Sequence, residues 1–144
     1  MAGLAKRLVF LAVLAALPLP AGALPTITEE RGLSAPKRKF ARCGGLALYV
    51  AEYLRLHAPE DHAGQEKALR AAASYQSGVA ANLPGSADRH PRVTARLRAA
   101  ERVRAALTDY TNYRPIATKG EVPPWREPGT LKADYEVCHA LSEN

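Results

Sequence analysis

The chain has 144 residues, with 20 Lys and Arg against 14 Asp and Glu, a formal net charge of +6 and two cysteines. That length suits one domain with a core of its own, and two cysteines allow a single intramolecular bridge. The positive balance favours acidic partners or anionic surfaces without demanding them.

The N-terminus reads as an export signal. Lys6 and Arg7 form a positive n-region, residues 8–17 are an apolar run, Pro18 and Pro20 break it, and Ala21-Gly22-Ala23 supplies the small-residue cleavage pattern before Leu24. The run is too short and too broken for a permanent span, which needs about 20 apolar residues. Cleavage of 1–23 leaves 121 of the 144 residues, with 18 basic side chains against 14 acidic ones, net +4. The expected location is therefore periplasmic or secreted, with no stable membrane span after cleavage and without the usual nucleic-acid partners. In an oxidising compartment Cys43 and Cys138, which lack the C-x-x-C spacing of a reactive pair, are expected to form a structural disulfide.

Residues 24–36 carry no periodicity and read as a flexible lead-in to a single helical domain over 37–144. Cys43, Leu46, Ala47, Val50, Tyr53, Leu54 and His57 fall on one face of a first helix. Its start is ambiguous. Gly44 and Gly45 disfavour a helix interior by about 1 kcal/mol each against alanine, so either the helix begins there or the pair lets another backbone come close. Ala58-Pro59-Glu60-Asp61 restarts the chain with a proline and two acids in helix-opening positions. A second helix then reaches about Leu83, with His62, Gln65, Leu69, Ala72, Ala73, Gln76, Val79, Ala80 and Leu83 on its expected face.

Pro91 opens a third helix that ends at Tyr113, because Arg114 precedes a proline. Val93, Leu97, Ala100, Val103, Leu107 and Tyr110 share a face. Arg89, Arg92, Arg96, Arg98, Arg102 and Arg104 surround it, with Arg96 and Arg104 within or at its edge, where they must snorkel, pair or line a pocket. Residues 114–130 form a Pro-rich loop around the single tryptophan, Trp125, which either closes over the bundle or anchors a partner. Leu131, Tyr135, Cys138 and Leu141 mark a short last helix. No segment alternates with the period of a strand.

The expected fold is all-α: a four-helix, mostly antiparallel bundle closed by a Cys43–Cys138 disulfide between first and last helices. Function is less legible. Nucleophile elbows, phosphate-binding glycine loops and metal-ligand spacings are absent. "YEVCHAL" holds only the second half of the haem-attachment pattern C-x-x-C-H, with Tyr135 where the first cysteine belongs, and no cofactor or metal is expected. The expectation is a binding or interaction protein without catalysis of its own. It would meet an envelope protein or acidic surface through Arg98, Arg102, Tyr110, Tyr113 and Trp125. The alternative is a small-molecule or cofactor carrier with a pocket inside the bundle lined by His62, Gln76, Arg96 and Arg104.

Overall fold

The computed structural model describes residues 24–28, 35–83 and 89–142; the signal-peptide reading of 1–23 and residues 29–34 of the lead-in lie outside them. Four helices follow one another: α1 (Ala35–His57), α2 (His62–Ala81), α3 (Pro91–Tyr113) and α4 (Thr130–Ser142). There is no strand among the described residues, so the all-α expectation holds.

α1 begins well before the glycine pair. Pro36 sits in its first turn, where a missing N–H breaks no helical hydrogen bond. Gly44 and Gly45 are therefore interior residues, and their surroundings explain them. A Cβ on Gly45 would lie 2.6 Å from Cβ of Ala106 and 2.7 Å from the backbone nitrogen of Leu107; one on Gly44 would lie 2.9 Å from a Val103 methyl. The backbones of α1 and α3 approach here as closely as the missing side chains allow.

The contacts set direction. Gly44 meets Val103, Gly45 meets Ala106, and the Tyr49 ring packs tilted against Tyr110 while its hydroxyl donates to the carbonyl of Arg114 at 3.0 Å. α1 and α3 thus run the same way. α2 runs back against α1, joined to it by a tight turn at 58–61, with Phe40 packed on Tyr75 and beside Gly78. α2 starts three residues later than Pro59 suggested: Pro59 and Glu60 lie in the turn before it, and Asp61 caps it by accepting from the Gly64 N–H at 2.9 Å.

α4 lies across this three-helix layer. Its early residue Asp134 reaches Tyr110 of α3 and Arg42 of α1, and its later residue Cys138 reaches Cys43 of α1 and Tyr75 of α2. The Cys43–Cys138 disulfide forms as expected, with the Cα atoms 5.4 Å apart. In the chain-entropy account such a long closed loop stabilises by roughly 4–5 kcal/mol.

Residues 24–28, read from sequence as flexible, are instead docked. Ile27 is buried and Thr130 Oγ1 donates to the carbonyl of Leu24 at 2.9 Å. The Pro-rich loop is also ordered. Trp125 is 8% exposed and meets Tyr53 edge-on at 5.2 Å, so of the two readings it closes over the bundle. An Arg114–Glu127 ion pair of 3.2 Å and a 2.6 Å contact of His57 Nε2 with the Ile116 carbonyl hold the loop down. Gly129, at φ +142°, supplies the turn into α4 that other residues rarely adopt.

Gly45→Ala is expected to destabilise the fold by about 1–2 kcal/mol, since overpacking against backbone outweighs the better helix propensity of alanine. Gly44→Ala is expected to lose less, because it meets a methyl of the Val103 side chain at 2.9 Å and not backbone. Urea unfolding of the two variants checks the order; a Gly45→Ala protein more stable than the parent would contradict the close approach.

Candidate functional site

The five residues expected to form one interaction surface do not come together. Arg98 and Arg102 are exposed on the outside of α3, and Tyr113 is half exposed at its end, but Tyr110 is fully buried and Trp125 faces the core. The expected pocket also does not assemble. His62, Arg96 and Arg104 are exposed, Gln76 is half buried, and none of the four lines the main groove described below. The reason is the rotation of α3. Its buried residues are Ala99, Val103, Ala106 and Tyr110, a stripe of mostly small side chains. Only such a stripe fits against Gly44 and Gly45, so the larger Val93 and Leu97 are turned outward, and Arg96 and Arg104 go with them.

Two other constellations emerge. The first is a buried polar cluster centred on Asp134, whose side chain is fully buried. Its Oδ1 accepts from the backbone N–H of Ile27 at 2.7 Å. Its Oδ2 accepts from Arg42 Nη2 at 2.7 Å and from the hydroxyl of Tyr110 at 2.5 Å. Arg42 Nη2 also donates to the carbonyl of Pro25 at 2.9 Å, and the guanidinium lies 4.8 Å over the Tyr110 ring. Four separate segments therefore meet on one carboxylate. Burial opposes the Arg42 charge, yet the neighbouring Tyr110 and Asp134 outweigh it and hold its pKa above the ordinary value. Burial, reinforced by the Asp134 charge, pushes the Tyr110 hydroxyl far above its usual value. Tyr110 stays protonated as a donor, and the carboxylate is closed to any reactant. This cluster holds the structure.

Nothing in the periodicity singled it out, but a signal was present: Leu131, Asp134 and Cys138 follow at i, i+3 and i+7, placing an acid in the buried register of the last helix.

The second constellation is a groove of about 380 Å³ between α1, α2, α4 and the Trp125 loop, within the range of small-ligand sites. Leu46, Ala47, Val50 and Leu54 of α1 face Ala68, Ala71 and Tyr75 of α2, the disulfide closes one side, and Pro123, Trp125 and Tyr135 cover the seam. Tyr75 donates to the carbonyl of Cys138 at 2.6 Å, and burial raises its pKa. Lys67 and Arg126 stand at the rim, and neither forms an ion pair among the described residues. Asp61, His139 and Ser142 also line the groove, the residue types of a hydrolytic triad. Their bonds point elsewhere: Ser142 Oγ donates to the backbone carbonyl of His139 at 2.8 Å, and the Asp61 carboxylate is engaged by the Gly64 N–H. No group of three or more His, Cys, Asp or Glu is arranged to hold a metal among the described residues.

Asp134→Asn is expected to cost about 3–5 kcal/mol, because it strands the buried Arg42 charge. The double replacement Arg42→Met with Asp134→Leu is expected to recover much of that loss, a comparison readable by chemical denaturation. Alkaline pH is expected to weaken the fold. Tyr49, pushed up to about 12 mainly by burial, and the more strongly raised Tyr110 both stay protonated in the folded chain at a pH where unfolded tyrosines, near 10.0, have ionised. The unfolded state then binds fewer protons, so stability is full below pH 10.0 and falls as pH rises above it. Tyrosinate absorbance against pH, with Tyr110→Phe for comparison, follows this directly.

Comparison with known proteins returns no match: no family model, no curated protein and no solved structure resembles the chain. Function therefore rests on the groove and the surfaces themselves.

Proposed function

We propose that this is an exported binding protein whose groove beneath Trp125 holds a small amphipathic anion, an apolar body with one negatively charged end. The observation that carries the reading is the groove's composition: aliphatic and aromatic walls with two unpaired cations, Lys67 and Arg126, at the rim. An apolar tail gains by leaving water between Leu46, Val50 and Trp125, and a carboxylate, sulfate or phosphate end gains a charge-assisted contact with the rim cations. The orientation of Ser142 and Asp61 favours holding a ligand over cleaving one.

Export is supported by the charged, apolar and small-residue order of residues 6–23 and by the disulfide. Cleavage before Leu24 also keeps the contacts that residues 24–28 make with other described residues, including the Ile27 N–H on Asp134.

Trp125 is the sole tryptophan, so its fluorescence reports this site alone. Titration with sodium decanoate below its micelle concentration is expected to give a saturable change in emission, weakened about tenfold by reversing Lys67 and Arg126 to Glu. Decyltrimethylammonium, of equal tail length and opposite charge, is expected to give no saturable response. Equal responses to the two amphiphiles, or none to decanoate, would remove the reading.

A further inference from the structure

Val93 and Leu97 are the most exposed large aliphatic side chains among the described residues, 56% and 62% accessible, and they sit on the same side of α3. The charge around them is predominantly positive, with Glu101, four residues after Leu97, the acid nearest to them along the helix. Arg96, Leu97 and Arg104 lie three, four and eleven residues after Val93 along one helical face, and Arg89, Arg92, Arg98 and Arg102 are exposed just before the helix or elsewhere around it. Other helices neutralise their surface cations internally: Arg55 pairs with Glu52, Arg70 with Glu66 and Lys132 with Glu136. None of the arginines within α3 has an ion pair with a described residue.

We infer that this outer face of α3 docks on an anionic phospholipid surface, with the arginines on the phosphates and Val93 and Leu97 at headgroup depth. Several observations select that occupant. A second copy of the chain meeting the same patch across a two-fold axis would oppose arginine to arginine. A stable protein partner needs a fully buried apolar centre, within an interface of roughly 800 Å² per side, and this face offers only two isolated aliphatics. A lipid headgroup layer needs neither. It offers a plane of phosphates, each matched to the planar fork of an arginine, and a shallow apolar zone that two side chains can enter without a large buried core. No helix among the described residues is long and apolar enough to cross a membrane, so the contact is peripheral. The face is separate from the groove, whose lining includes no residue of α3, and this inference stands independently of the amphipathic-anion reading.

The test is co-sedimentation of the protein recovered after export with vesicles of phosphatidylcholine alone or with about 30 mol% phosphatidylglycerol, at low salt and at ~0.5 M salt. Binding is expected only on the anionic vesicles and is expected to be lost at high salt. Arg96→Glu with Arg104→Glu should lower it about tenfold or more, and Leu97→Asp several-fold. Both variants replace exposed residues, so each should keep the helical circular dichroism and decanoate response of the parent. Equal binding to the two vesicle types, no binding at low salt, or full binding by the Arg96/Arg104 variant would overturn the inference. A protein recognised through the same face, with vesicles left unbound, would overturn it as well.

Discussion

The close approach of α1 and α3 at Gly44 and Gly45 constrains most of what surrounds it. A glycine pair presents no side chain to fill a gap, so the helix opposite must supply a surface flat enough to seat against bare backbone. α3 has two candidate faces. The stripe through Val93 and Leu97 is bulkier and more apolar, but Val103 and Ala106 come within touching distance of Gly44 and Gly45. Close packing decides in favour of the smaller face, because dispersion contacts fall off steeply with any residual gap. That choice keeps Tyr110 inward, next to Tyr49 and under Arg42, and leaves an arginine-rich, partly apolar face outside.

With Tyr110 in that position, Asp134 becomes the point where chain ends and bundle are tied together. A buried ion pair of this kind contributes little net stability over an apolar replacement, since desolvation offsets much of the attraction. Its contribution is geometric. Ile27, Arg42 and Tyr110 must all arrive within hydrogen-bond distance of one carboxylate, a condition that fixes the N-terminal segment, α1 and α3 relative to α4. The disulfide one helical turn later acts differently, by restricting the unfolded chain. Cys138 and Asp134 thus secure the same crossing by independent means, one covalent and one electrostatic.

The helices, the bridge and the boundary before Pro115 were legible in the sequence because each rests on local signals: periodicity, proline, and the pairing available to two cysteines. The faces were less so. Tyr75 and Tyr110 are amphipathic, and whether a tyrosine lies inward depends on a partner for its hydroxyl, here the Cys138 carbonyl and Asp134, neither of which is local. Arg42 and Asp134 hide for the same reason: each reads as a surface charge until the other is placed beside it. The docking of Ile27 depends on an acceptor more than a hundred residues away. On α3 the expected face held at Val103 and Tyr110 and failed at Val93 and Leu97, because counting apolar residues rewards size, whereas the contact with two glycines rewards smallness.

The groove follows from where α4 is secured. α4 reaches α1 at Arg42 and Cys43, and the Trp125 loop next covers it at Tyr53. Between those two points the seam of α1 and α2 has no helix over it. Leu46, Ala47 and Val50 would be expected to draw in a fourth helix along their full length, as in a regular bundle. A helix of only 13 residues running across the layer, held at Asp134 and Cys138, cannot lie along them. The apolar space left under the loop is then a consequence of the same crossing that holds the chain ends together. A ligand entering it would meet a wall made rigid by the disulfide and a cover held by the Arg114–Glu127 pair. Such a division, with fixed walls under a separately anchored cover, permits binding by displacement of the cover while the bundle itself stays as it is.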